Sequence, residues 1–136
     1  MKWQFVEKLK NPLDIFKVEE ELGIKFPVDF IECVEKFNGG HPEKYSFDTD
    51  ESKERVFNYL LSFNINEEKN ILRTYEIIKS ILGEKIVPIA DDSFGNYICL
   101  NFSEHEKKYQ VLFFDLNNKK VEKIAINFSE FLEKLY

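Results

Sequence analysis

The sequence is short of nearly everything from which loops, staples and phosphate-binding faces are made. Only five of its 136 residues are Gly and four are Pro, so regular elements must occupy most of the chain. Cysteine occurs twice, as Cys33 and Cys99. Both fall in apolar stretches and there is no C-x-x-C pair, which argues against a disulfide framework and against a structural zinc site and leaves two buried, reduced thiols as the expectation. A basic excess is also missing: 19 Lys and Arg face 25 Asp and Glu, a formal net charge of −6. A protein that grips phosphates needs a cationic face, whereas the densest basic spots here, Lys107-Lys108 and Lys119-Lys120, are each flanked by acids or Asn. No nucleic-acid partner is expected. No apolar run approaches the roughly 20 residues of a membrane span. Met1-Lys2-Trp3 does not open a secretion signal. The expectation is a cytoplasmic protein that stays off the membrane.

What the chain has is aromatic bulk. Fourteen Phe and six Tyr stand among 43% apolar residues, and a chain of this length hides about two thirds of the surface its unfolded form exposes. Asn11-Pro12 starts the first helical pattern, with Ile15, Val18 and Leu22 at helical spacing and Gly23 as its stop. Pro27 starts a second, with Phe30, Ile31, Val34 and Phe37 as its stripe and Asn38-Gly39-Gly40 at its end. After a polar stretch over 41–54, alternation of Phe57, Tyr59, Leu61 and Phe63 predicts a strand over 56–63. Asn64 and Glu67 resemble a capping box for a helix whose face is Ile71, Tyr75, Ile78 and Leu82 and which Gly83 closes. Strands follow over 86–90, 97–102, 109–116 and 121–126, and Asn127 with Glu130 caps a closing helix lined by Phe128, Phe131, Leu132 and Leu135. Consecutive strands on short turns imply an α+β fold: a single domain over 1–136 with a largely antiparallel sheet, against which an N-terminal helix pair, a middle helix and a C-terminal helix pack. Leu22, Phe30, Val34, Leu100, Phe113, Phe128, Phe131 and Leu132 are expected in its core.

Each candidate for chemistry has a plainer explanation. Asp48, Asp50 and Ser52 begin like a calcium loop, but its sixth position is Lys53 where Gly is needed and its twelfth is Tyr59 where a bidentate Glu is needed. Asp91-Asp92 could pair as carboxylates for acid–base or metal work. They precede Ser93-Phe94-Gly95-Asn96, residue types that form turns by bonding their own backbone. His41 and His105 lie in polar loops with no nucleophile motif beside either. Gly39-Gly40 follows a helix instead of preceding one and lacks the Lys-Ser/Thr of a phosphate cradle. No catalytic residue, cofactor or metal is expected.

The run 19–40, EELGIKFPVDFIECVEKFNGG from Glu20 on, resembles the opening signature of the SUKH superfamily, which includes yeast cell-wall assembly regulators. The matching positions are Glu21, Leu22-Gly23, Pro27, Asp29-Phe30 and Asn38-Gly39. A second stretch, PIADDSFGNYICL over 88–100, is similar to the family's Ile-Ala-Asp segment followed by Gly-Asn and a strand. A third, AINFSEFLEKL over 125–135, resembles its closing helix. Two departures are Phe30, where Tyr is usual, and Phe94-Gly95, where Gly-Gly often precedes Asn. The resemblance implies an α+β fold and, for most bacterial members, an immunity protein that binds and neutralises a cognate polymorphic toxin, frequently a nuclease. The eukaryotic relatives imply an alternative: a regulatory scaffold that binds an endogenous signalling or cell-wall protein. It implies no catalytic residue.

A partner must be met by exposed, polar segments. The stretch 41–54 offers Glu43, Tyr45, Phe47, Asp48, Asp50 and Glu51, aromatics for contact area beside carboxylates that would steer a basic toxin. The turn with Asp91, Asp92 and Phe94 is the second expected contact, its Phe either an exposed anchor or a core plug.

Overall fold

The computed structural model describes residues 1–105 and 108–136; Lys107, half of one basic pair, lies outside the described residues. In chain order the elements are β1 (Trp3–Gln4), α1 (Leu13–Leu22), α2 (Val28–Phe37), β2 (His41–Pro42), β3 (Ser46–Phe47), β4 (Arg55–Val56), β5 (Tyr59–Leu60), α3 (Ile71–Leu82), β6 (Ile86–Asp91), β7 (Tyr97–Asn101), β8 (Gln110–Asp115), β9 (Lys120–Ala125) and α4 (Phe128–Glu133). β5 to β9 form one five-stranded antiparallel sheet in that order, while β1–β2 and β3–β4 are separate two-stranded ribbons. The fold is α+β, as expected.

The first helix begins as its sequence dictates. Asn11 Oδ1 accepts from the Leu13 N–H at 3.0 Å, and Gly23 closes the helix in the left-handed region at φ 67°, where a Cβ would be strained. The loop into α2 is held by Glu19, whose carboxylate accepts from the Phe26 N–H at 2.7 Å. α4 starts as predicted, with Asn127 Oδ1 taking the Glu130 N–H at 2.8 Å and Glu130 reaching back to the Ile126 N–H.

Alternation splits the sheet's side chains between two faces. Ile98, Leu100, Val111 and Phe113 point into the main core with α1, α2 and α4, where Phe30, Phe63, Phe128 and Phe131 are also buried. Cys99, Leu112 and Phe114 point the other way and are covered by Ile78 and Leu82 of α3. Pro88 in β6 is accommodated by a bulge between it and Ala90, since a residue without an N–H cannot continue a regular ladder.

Four expectations need correction. The strand over 56–63 is broken: β4 and β5 hold two residues each, and β5 bonds to the main sheet whereas β4 bonds to β3. Phe57, Leu60, Leu61 and Phe63 are all buried while Tyr59 is exposed, a pattern set by a chain that changes partners and not by one pleat. The middle helix is capped by Asn70, whose Oδ1 accepts from the Arg73 N–H at 3.1 Å. Asn64 instead straps the N-terminal segment, accepting from the Lys10 N–H and donating to the Lys8 carbonyl. Leu132 is half-buried at the rim of the core; the other seven expected core residues are buried. Finally, the stretch 41–54, expected to be exposed and polar throughout, carries β2 and β3 and buries Phe47, and Ser46 exchanges two backbone hydrogen bonds with Tyr136.

Asn38, directly after α2, is 1% exposed and serves three segments. Its Nδ2 donates to the Glu7 carbonyl at 2.8 Å and to Ser62 Oγ at 3.3 Å, and its Oδ1 accepts from the Phe63 N–H at 2.8 Å. Its own carbonyl accepts from the Glu7 N–H.

Candidate functional site

Parts of the two segments expected to meet a partner, His41 with Tyr45 and the start of the Asp91 turn, lie at the β5 edge of the sheet. Tyr59 pairs with Asp91 in the ladder, the Asn58 N–H donates to the Asp91 carbonyl at 2.8 Å, and the Tyr59 N–H donates to Asp91 Oδ1 at 3.2 Å. Burial pushes the Asp91 carboxyl above its usual value, while the bond from Tyr59 and the charge of Lys69 pull the other way. The next residue, Asp92, is 1% exposed and wholly engaged. Its Oδ1 accepts from the Phe94 and Asn96 N–H groups at 2.8 and 2.9 Å, and its Oδ2 accepts from Asn96 Nδ2 at 2.7 Å. These bonds build a turn in which Ser93 and Gly95 are left-handed, at φ 74° and 87°. Asp92 is therefore a turn organiser and not a contact residue. It holds Phe94 out at the tip, 72% exposed, so of the two roles weighed for that ring the exposed one is realised.

Beside Phe94, a depression of about 260 Å³ is lined by Lys53, Glu54, Arg55 and Asp92. Arg55 is fixed within it: its guanidinium lies 4.8 Å over the Phe113 ring and Nη2 donates to Ser52 Oγ and Asp115 Oδ2 at 3.1 and 3.2 Å. On the other side of Tyr59 runs an aromatic row. Phe5 and Tyr59 have ring centroids 6.3 Å apart, Tyr59 and His41 5.6 Å, and His41 and Tyr45 5.3 Å. His41 Nδ1 donates to the Asn58 carbonyl, which fixes the imidazole between the two tyrosines.

The remaining predicted contacts lie elsewhere. Phe47 is 1% exposed, wedged against Phe113 and Phe131 at 5.6 and 5.3 Å; it is a core plug and offers no contact area. Glu43 and Tyr45 are exposed near His41. Asp48, Asp50 and Glu51 are exposed too, but they project toward β9: Asp48 accepts from the Tyr136 hydroxyl at 2.6 Å, and Glu51 pairs with Lys120 at 3.3 Å. The Tyr136 hydroxyl, with the Glu54 N–H, holds the Asp48 carboxyl below its usual value. The ribbon thus divides the acidic stretch between two sides. Sequence reasoning missed Phe5 and Tyr59, because Tyr59 reads as one of four alternating apolar positions of a strand and residues 1–10 carry no periodic pattern.

Burial pushes the Cys33 thiol up to about 12 and raises Cys99 as well, the behaviour of packed side chains rather than nucleophiles. Among the described residues no three His, Cys, Asp or Glu side chains gather as a metal would require, and no helix is long and apolar enough to cross a membrane. The arrangement presents aromatic surface beside carboxylates at a sheet edge, which is equipment for binding. A comparison with curated proteins returns no match. The family model SUKH_6, described as SMI1-KNR4 cell-wall, matches residues 12–132 and takes in both helix pair and sheet, and the chain belongs to that family.

Proposed function

We propose that this chain is an immunity protein that acts in the cytoplasm, binding a cognate polymorphic toxin, a basic nuclease, and neutralising it by protein–protein contact without catalysis or cofactor. Family membership supports a binding role. The observation that carries the reading is the exposed aromatic row Phe5–Tyr59–His41–Tyr45, set beside Asp91 and the protruding Phe94. Aromatic anchors on a rigid element supply contact energy with little ordering cost, and the acidic balance speeds encounter with a basic partner.

The test is co-expression with the toxin domain encoded beside this gene. Rescue of growth and a 1:1 complex are expected. Tyr59→Ala and Phe94→Ala should each weaken the complex by about tenfold or more, as anchor truncations do, with unchanged melting. An adjacent gene without a toxin domain, joined to failure to rescue, would sink the reading. The cell-wall description of the family favours a second reading, a regulatory scaffold for an endogenous cell-wall or signalling protein. Recovery of such a protein in a defined 1:1 complex that Tyr59→Ala disrupts, with no toxin able to compete, would establish it instead.

A further inference from the structure

We propose that the cleft beside β5 is a receptor for one arginine side chain of the partner protein, an inference that rests on the chain being a protein-binding module. The cleft measures about 520 Å³ and runs between β5 and the turn before α3, with Phe5 and Glu7 closing it from the N-terminal segment. That volume falls within the roughly 300–1,000 Å³ of small-molecule sites and has room for a long side chain with its flanking backbone.

One wall is aromatic. Phe5 is 68% exposed and Tyr59 38%, and the rings meet at 60°. Phe5 also sits at φ 56°, a left-handed conformation that is unfavourable for a non-glycine residue. That backbone turns the chain at the end of β1, where the ring stands against Tyr59.

The other wall is acidic. Glu67 is taken by Lys10 at 3.1 Å, but Glu7, Glu68 and Asp91 have no ion-pair partner among the described residues and face a single ammonium, Lys69. Asp91 is the best placed of the three. Its Oδ1 accepts from the Tyr59 N–H and the carboxylate is also bonded by the Asn58 side chain, two contacts that fix it in the wall of the cleft. Carboxylates repel an anionic ligand. A guanidinium stacks on an aromatic ring while giving planar N–H groups to a carboxylate, whereas a compact, strongly hydrated ammonium does only the second. The combination of ring wall and fixed carboxylate selects arginine.

The experiment uses three probes, acetyl-Gly-Arg-Gly-amide and the same peptide with citrulline or lysine at its centre. Each is titrated into the ¹⁵N-labelled full chain and followed by amide shifts. The arginine peptide should move Tyr59, Leu60 and Asp91 in a saturable way. The citrulline and lysine peptides should bind less tightly, the neutral one by about tenfold, and Asp91→Asn or Glu68→Gln should weaken the arginine peptide, the former by about tenfold, the size of one charge-assisted bond. Glu51→Gln, on the far side, should leave it unchanged. Equal binding of arginine and citrulline, equal binding of arginine and lysine, or indifference to Asp91→Asn overturns the proposal. Toxin binding through Phe94 and Tyr45 would survive that outcome. Conversely, an intact arginine response with no toxin rescue would overturn the immunity reading alone.

Discussion

Phe131 shows what the aromatic load does at the scale of single residues. It is 1% exposed, stacks on Phe57 with centroids 5.9 Å apart and meets Phe47 edge-on at 5.3 Å. Phe131→Ala should cost about 3–5 kcal/mol, the cost of a buried ring plus the cavity it leaves, out of a total stability of about 5–15 kcal/mol for a small domain. Denaturant unfolding measures it; a midpoint close to that of the parent would show that the ring is not where the core closes. Asp91 makes a prediction of opposite character. Burial raises its carboxyl in the folded state, so the native form holds the proton more tightly than the unfolded chain. The group therefore favours folding at low pH, and that contribution is lost as pH rises above the ordinary carboxylate value of 3.8. Asp91→Asn keeps an acceptor for the Tyr59 N–H and removes the titration. It should melt at or above the parent temperature near pH 7, and the difference should shrink toward about pH 4. A constant difference across that range would contradict the raised value. Asp48 runs the other way: held low by Tyr136, its contribution is present above the ordinary carboxylate range and fades as pH falls through it.

At the scale of elements, Asn70 carries more than a cap. Its Oδ1 takes the Arg73 N–H, and its Nδ2 donates to the Glu67 and Ile65 carbonyls at 2.7 and 3.3 Å, all while 3% exposed. Asn70→Ala should destabilise by about 1–3 kcal/mol, a lost cap plus stranded buried carbonyls. Glu67→Gln, which removes only an exposed pair with Lys10, should change stability by less than about 0.5 kcal/mol. Thermal melts of the two variants compare these directly. This helix also marks where reading by sequence succeeds and where it stops. Its apolar face was legible because Ile71, Tyr75 and Ile78 repeat at 3.6 residues and are buried. Its start was not, because Asn64 and Asn70 offer the same local chemistry and only the fold assigns one to a strap and the other to a cap. β7 and α4 were legible for the same reason of period, and β8 because Leu112, Phe113 and Phe114 form the continuous apolar run of a central strand. The segment 56–63 was not, since its side chains are sorted by two different sheets. At the candidate site, the turn that Asp92 builds beneath Phe94 could be read from turn chemistry. Phe5 could not, because an exposed ring in a segment without period gives no signal until the chain has folded.

At the scale of the whole molecule, the two edges of the main sheet are unlike. β9 is lined by Lys120 and Lys123, charges that discourage pairing with another strand, whereas β5 is two residues long and flanked by rings and acids. The β5 edge is the one held by the fewest ladder bonds, and what steadies it is Asn38. One side-chain amide there ties the Glu7 strap, the end of α2 and the Ser62–Phe63 segment together. Such a shared bond has a consequence for hydrogen exchange. Amides in three stretches far apart in the chain cannot open separately, so those of Glu7 and Phe63 should exchange at a common rate as one cooperative unit. Asn38→Ala should release both together while Leu100 and Phe113 in the central strands keep the protection of global unfolding. The β5 edge would then rise or melt as a single leaf hinged on one buried carboxamide.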